Sequence, residues 1–221
     1  MCGRFVLIAN PDVIQTAFDL TTMPASLSAR YNIAPTQPVA VITNEHPDEL
    51  TFYKWGLIPS WSKDMTAASK LINARSESAA EKPSFRSAFK RRRCIIPSDG
   101  YYEWQQRAGE KIPMFIHMKN RAVFGLAGLW EVWHSPDGSE VRTCTILTTD
   151  ANDFMQTIHN RMPVILHKED YPLWLSSDEE PTPVLQALMQ PYSGDDLTAY
   201  AVSKMVNKPV NDSPELIQPV A

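Results

Sequence analysis

Eighteen prolines are spread along the 221 residues of this chain, with no internal repeat, low-complexity tract or Gly/Ser linker among them. Each proline removes a backbone donor and tends to end a helix, so the chain is broken into short elements. Its length suits one medium domain that can bury a full hydrophobic core without staples. With 43% hydrophobic and 21% charged residues, the composition is that of a soluble globular protein.

The apolar pattern supplies the elements. Residues 38–43 and 50–55 read as strands joined by the polar turn 44–49. Further strand signals fall at 94–96, 101–105, 114–117, 123–133 and 141–149, with Asp137-Gly138 as a hairpin turn between the last two. Asn10-Pro11-Asp12 reads as a helix start: a cap, a proline at the first helical position and an acid in the first turn. Val13, Ile14, Ala17 and Phe18 form the apolar face of that helix. Short helices are predicted over 150–158, capped by Thr149 or Asp150, and from Thr182 to near 190. Strands are predicted at 161–166 and 197–203. The sum is an α+β fold: one domain over residues 1–221, with a β-rich curved or barrel-like core flanked by short helices.

Cys2, Cys94 and Cys144 are an odd set with no pair at CxxC spacing. That points to a reducing cytoplasm and away from a disulfide framework or zinc site. The apolar stretch Phe5-Val6-Leu7-Ile8-Ala9 is too short and too weakly basic at its front for a signal peptide. No run approaches membrane-spanning length. The histidines lack ligand spacing and there is no Gly-rich nucleotide loop, so no metal or cofactor is expected.

The net charge of −4 argues against a general nucleic-acid binder. Its distribution says more. Lys82, Arg86, Lys90, Arg91, Arg92 and Arg93 lie in one stretch without an acid, while acids gather at Asp178-Glu179-Glu180 and Asp195-Asp196. A solvated face is the plain reading of such a run. A local phosphate-contacting patch is the sharper one.

The chain opens Met1-Cys2-Gly3-Arg4-Phe5. Removal of the initiator Met before a small residue would make Cys2 the N-terminus, carrying an α-amine and a β-thiol together. Their reference pKa values, about 7.7–8.0 and about 8.5, leave both partly nucleophilic near neutral pH. An amine and a thiol two carbons apart close a thiazolidine ring on an aldehyde: the amine forms the Schiff base and the thiol traps it. The plain alternative is a buried, inert cysteine near a frayed terminus.

Three other segments place polar residues in apolar or turn-rich surroundings. Asn73 lies between Ile72 and Ala74, as a buried amide or a group that orients a nucleophile. Glu103 follows the Asp99-Gly100 turn and points to the face opposite Tyr102 and Trp104. It is either a solvent-facing strand carboxylate or a general acid/base in an apolar setting. His159 sits at a helix-to-strand junction, as a structural histidine or a catalytic one.

Taken in order, these segments resemble the SRAP family, the SOS-response-associated peptidase-like proteins that crosslink to abasic DNA. The likeness is carried by Met1-Cys2-Gly3-Arg4-Phe5, Arg30-Tyr31-Asn32-Ile33-Ala34-Pro35, Trp55-Gly56-Leu57-Ile58-Pro59 with Trp61, and Asn73-Ala74-Arg75-Ser76-Glu77. It continues through Phe85-Arg86, Arg92-Arg93-Cys94-Ile95-Ile96-Pro97, Asp99-Gly100-Tyr101-Tyr102-Glu103-Trp104 and Phe124-Gly125-Leu126-Ala127-Gly128-Leu129-Trp130. Thr148-Thr149-Asp150-Ala151, His159-Asn160-Arg161-Met162-Pro163 and the tail from Val202 to Val220 complete it.

The resemblance implies a sensor that forms a thiazolidine with abasic sites in single-stranded DNA through Cys2, protecting the lesion during the DNA damage response. Cys2, Asn73, Glu103 and His159 match the family's catalytic positions. Glu103 would assist opening of the sugar ring, and His159 would move protons around the Schiff base and support reversal. Asn73 would position the cysteine and the sugar. Arg4, Arg75 and Arg161 would hold flanking phosphates, with Arg86 and the run Arg91, Arg92 and Arg93 weaker candidates. Asn32, Pro35 and Trp61 resemble wedge and stacking elements; some relatives carry two adjacent tryptophans where this chain has Trp61-Ser62. The peptidase in the family name is read as self-directed removal of Met1 or a propeptide. The implied protein is a cytoplasmic monomer, nucleoid-associated when bound to damaged DNA.

Three rival readings remain at this level. One is an N-terminal-nucleophile amidohydrolase, since glutamine amidotransferase domains also begin Met-Cys-Gly. Another is a non-catalytic module that binds single-stranded DNA. The third is a thiol peptidase using Cys2, His159 and Asn73.

Overall fold

The computed structural model describes residues 2–220. In chain order its strands are β1 (Arg4–Leu7), β2 (Arg30–Ile33), β3 (Pro38–Thr43), β4 (Thr51–Trp55), β5 (Asn73–Arg75), β6 (Arg93–Ser98) and β7 (Gly100–Arg107). They continue as β8 (Glu110–Met118), β9 (Phe124–His134), β10 (Glu140–Asp150), β11 (Arg161–Pro163), β12 (Ile165–Leu166) and β13 (Leu197–Ala201). Six short helices accompany them: α1 (Pro11–Ala17), α2 (Ser76–Ala79), α3 (Arg86–Arg91), α4 (Asp153–Gln156), α5 (Tyr171–Trp174) and α6 (Thr182–Ala187).

Five strands form the barrel-like core. β10 pairs with β4, β4 with β3, β3 with β6, β6 with β9, and β9 again with β10. The sheet therefore closes on itself and leaves no free edge along that ring. Val39, Val41, Ile95, Leu129 and Ile146 from these strands are buried in one apolar cluster. A second sheet runs in the order β13-β8-β7-β1-β2, antiparallel throughout. The chain passes from barrel to second sheet at Asp99. There the Ser98 hydroxyl and the Asp99 N–H both donate to the Val6 carbonyl, and the Asp99 carboxylate accepts from the N–H groups of Ile8 and Ala9 at 2.6 and 2.9 Å. The expected α+β architecture with a β-rich core is what the chain adopts.

Several boundaries differ from the sequence reading for definite reasons. The helix expected over 150–158 is only α4, because Thr149 and Asp150 are committed to the ladder with Met162 and Arg161. Its cap is Asn152, whose side-chain oxygen accepts from the Met155 N–H at 2.7 Å. The strand expected over 161–166 is two strands, since β11 pairs with β10 and β12 with β9. On α1 only Ile14 is buried, while Val13 is half exposed.

The basic run also divides. Arg86 and Lys90 lie on the exposed side of α3, Arg91 pairs with Glu179, and Arg92 pairs with Glu131. Arg93 is fully buried and donates to the carbonyls of Trp174, Ser176 and Asp178, a structural use of the charge. Among the described residues no helix is long and apolar enough to cross a membrane.

His117 on β8 yields a pH prediction. It is buried between Phe115 and Tyr200, and its Nδ1 lies 2.6 Å from the Met118 carbonyl, so Nδ1 carries the proton. Nε2 is buried with no hydrogen-bond partner among the described residues. Burial, with Arg121 adding to it against the Met118 carbonyl, pushes the folded pKa below 6.5. The unfolded chain then binds the extra proton first, so this residue's contribution to stability is full above about pH 6.5 and falls as the pH drops below it. Melting temperatures measured at pH 7.5 and 5.5 should show a smaller acid-induced drop in His117→Gln than in the parent.

Candidate functional site

β1 is not a frayed terminus. It lies inside the second sheet, between β2 and β7, in register Arg4↔Tyr102 and Phe5↔Tyr101. Continuing that register sets Gly3 opposite Glu103. Cys2 is fully buried. Its thiol is pushed up to about 12, first by burial and then by the nearby charge of Glu103. A thiol partly ionised at neutral pH was the sequence expectation; burial keeps it protonated instead. Met1, whose removal the aminothiol chemistry requires, lies outside the described residues.

Asn73 reaches Cys2 from the other sheet. It opens β5, which pairs in parallel with β10 through Asn73↔Ile146. The preceding carbonyl, Ile72, is held by the Trp55 indole N–H at 2.9 Å, and Trp55 packs edge-on against Phe5 at 5.2 Å. So aimed, the Asn73 amide donates to the Cys2 carbonyl at 2.8 Å. The other amide atom, Oδ1, is buried without a hydrogen-bond partner among the described residues.

Glu103 is 4% exposed, which excludes the solvent-facing strand carboxylate. His159 stands one residue past Ile158, after α4, and its Nδ1 accepts the Arg161 N–H at 3.0 Å. That leaves the proton of the neutral ring on Nε2. Glu103 and His159 line one cleft of about 810 Å³ with Gly3, Arg4, Pro35 and Ile72. Four segments far apart in sequence thus place a thiol, an amide, a carboxyl group and an imidazole together at the head of β1.

The expected DNA-contacting residues fall into three groups. Arg4 lines the cleft and donates to Asn32 Oδ1 at 2.8 Å and to the carbonyls of Val206 and Asn207. These oxygens are formally neutral, so they orient the guanidinium without cancelling its charge. Pro35 lines the same cleft. Arg75, at the end of β5, and Arg86 are exposed, and Trp61 is 66% exposed on a loop held by the Trp133 indole bond to the Ser62 carbonyl. Arg75, Arg86 and Trp61 are not among the residues that line the cleft.

Asn32 and Arg161 are placed differently. Asn32 is fully buried, and its amide donates to the carbonyls of Val206, Lys208 and Asn211. It pins the C-terminal segment across β2 and is not exposed as a wedge, because its amide nitrogen is taken by that segment and its oxygen by Arg4. The Arg161 guanidinium is bound by Glu77, Asp150 and the Thr148 carbonyl, so a phosphate there has to compete with two carboxylates. Trp104, Gln106, Lys111 and Asn207 were not expected at the cleft but line it. Lys111 gets there by the hairpin register Gln106↔Lys111. Asn207 gets there through the tail, where it accepts the Trp104 indole N–H at 2.8 Å. Among the described residues no group of three His, Cys, Asp or Glu side chains could hold a metal ion.

A closed five-strand core, beside a second sheet in which a buried cysteine, an amide, a carboxylate and a histidine gather at the start of β1, defines an α+β domain with its candidate site at the head of that strand. The chain belongs to the SRAP family: the model of SOS response associated peptidases matches residues 1–209. It is 45% identical to the abasic site processing protein YoqW of Bacillus subtilis (strain 168) over 99% of both chains. It is 34% identical to the abasic site processing protein HMCES of Gallus gallus over 76% of this chain and 56% of that one. A crystal structure of a protein from Bacteroides thetaiotaomicron superposes over 100% of both chains with a TM-score of 0.89 at 28% identity.

Proposed function

We propose that the chain, once it begins at Cys2, processes abasic sites in single-stranded DNA by forming a thiazolidine with the lesion. The observation that carries this reading is the meeting of four residues: Asn73 holds the Cys2 carbonyl, Glu103 lies near enough to act on the Cys2 thiol, and Glu103 and His159 line one cleft beside Gly3. Relatives named abasic site processing proteins support the substrate class.

Glu103 in its acid form protonates the sugar ring oxygen and the closed hemiacetal opens to the aldehyde. The Cys2 amine adds to the carbonyl carbon, the carbinolamine loses water, and an iminium forms. The thiol then attacks the same carbon and passes its proton to a base. One C–N and one C–S bond form, the C=O bond is lost, and one water leaves. The raised thiol pKa suits this order, with the amine acting first and the thiol giving up its proton only at ring closure. Asn73 holds the Cys2 carbonyl, and its buried Oδ1 is an acceptor for the amine or a sugar hydroxyl.

Arg4 and Arg75 hold flanking phosphates, Pro35 and Trp61 meet the bases beside the lesion, and Arg86 adds a more distant charge. His159, with a proton on Nε2, protonates the departing group when the ring reopens. His159→Ala should therefore slow reversal by roughly 100-fold and formation less, read from time courses with and without an aldehyde trap for the released aminothiol. The test of the function is an abasic oligonucleotide offered before and after borohydride reduction of its aldehyde. Only the unreduced site should give a heat-stable adduct; an equal adduct with the reduced site would contradict the reading.

A further inference from the structure

We propose that Glu77 is a positioning residue for His159, acting through Arg161; this rests on the reading that His159 moves protons in the cleft. Arg161 opens β11 opposite Asp150. Its backbone N–H is the donor that His159 Nδ1 accepts, which favours the neutral ring with its proton on Nε2. Only Asn160 separates the two residues, so the direction of that N–H depends on how Arg161 is held.

It is held by a clamp that closes on a nearly buried guanidinium. The Arg161 side chain is 11% exposed. Glu77 grips the guanidinium with both oxygens, one on each terminal nitrogen, and the Nη2 contact measures 3.0 Å. Asp150 accepts from Nη1 at 2.6 Å and the Thr148 carbonyl from Nη2 at 2.7 Å. Two-pronged arginine–carboxylate pairs combine strength with fixed orientation. Asp150 is 78% exposed and more open to screening than Glu77 at 49%, so Glu77 is the main restraint.

The placement of Glu77 gives the clamp its use. Glu77 lies in the first turn of α2, directly after β5. One five-residue segment thus touches Cys2 through Asn73 at its start and Arg161 through Glu77 at its end. It ties the nucleophile to the proton carrier. The Asn-Ala-Arg-Ser-Glu motif then has a function for its last residue as well as its first.

The test uses the mature full chain and Glu77→Gln, which keeps the side-chain volume and removes the charge. Nitrogen-15 spectra of the His159 ring in the free protein should show one tautomer, protonated at Nε2, in the parent and a mixture in Glu77→Gln. Glu77→Asp should restore much of the single tautomer. Glu77→Gln should slow adduct reversal roughly 10- to 100-fold, and should add little in a His159→Ala background. An unchanged ring spectrum in folded Glu77→Gln, or a full additive loss on top of His159→Ala, would overturn the proposal. Should Glu77→Gln fail to fold, Glu77→Met removes both prongs while keeping the packing volume, and the same two results decide. If the parent forms no adduct while the ring spectrum still depends on Glu77, the functional reading fails and the positioning role stands.

Discussion

Cys2→Ala should remove the heat-stable adduct with abasic single-stranded DNA completely and leave the fold intact. The side chain lost is small and buried, and its thiol makes only a long 3.8 Å approach to the Arg4 carbonyl among the described residues. Burial bookkeeping puts the cost at about 1 kcal/mol, well inside ordinary domain stability. The backbone that positions residue 2 survives, because Asn73 holds its carbonyl and β1 remains between β2 and β7. The α-amine also survives, so the variant should still form an imine, which borohydride would trap as a secondary amine. Loss of the spontaneous adduct with retention of the trapped one assigns the thiol to ring closure. A heat-stable adduct of Cys2→Ala without borohydride would remove the thiol from the mechanism.

Glu103→Gln should slow adduct formation by roughly 10²- to 10⁴-fold, the usual worth of a positioned general acid. Glutamine matches the carboxyl group in shape and still donates hydrogen bonds, but it cannot deliver a proton to the sugar ring oxygen. The residue is buried on β7, close enough to Cys2 to raise its thiol pKa. A substrate with an aldehyde that cannot close into a ring separates the steps. If ring opening is what Glu103 serves, the variant recovers most of its rate on that substrate. A rate deficit of the same size on both substrates would move Glu103 to a later proton transfer.

Much of this architecture was legible because strand periodicity and turn chemistry are local signals. β3 occupies the residues expected of it, and Asp137-Gly138 does separate β9 from β10, with Gly138 at φ +87°. The elements that build the site were the illegible ones. β1, β2 and β5 have three or four residues each, too few for a periodic pattern, and they exist because neighbouring strands complete their ladders. The fate of a charged residue was equally hidden. Arg93 and Arg161 look like surface cations in sequence, and only the tertiary fold shows one buried among carbonyls and the other clamped by Glu77 and Asp150. Asn32 was noticed in its motif, but its work on the C-terminal segment needed contacts 174 or more residues away. Cys2, Asn73, Glu103 and His159 stood out as polar groups in apolar or turn-rich segments, and the resemblance gave them expected roles; the fold adds the contacts that bring them near one another.

The central claim is that Cys2, freed at its amine, becomes covalently joined to the aldehyde of an abasic site. Intact mass of the purified protein, alone and after incubation with an oligonucleotide bearing one such site, tests it most directly. The account predicts a chain that lacks Met1 and a heat-stable species at the summed mass of protein and oligonucleotide less one water. A chain that begins at Cys2, with amine and thiol free, and that leaves the abasic oligonucleotide unmodified would contradict it.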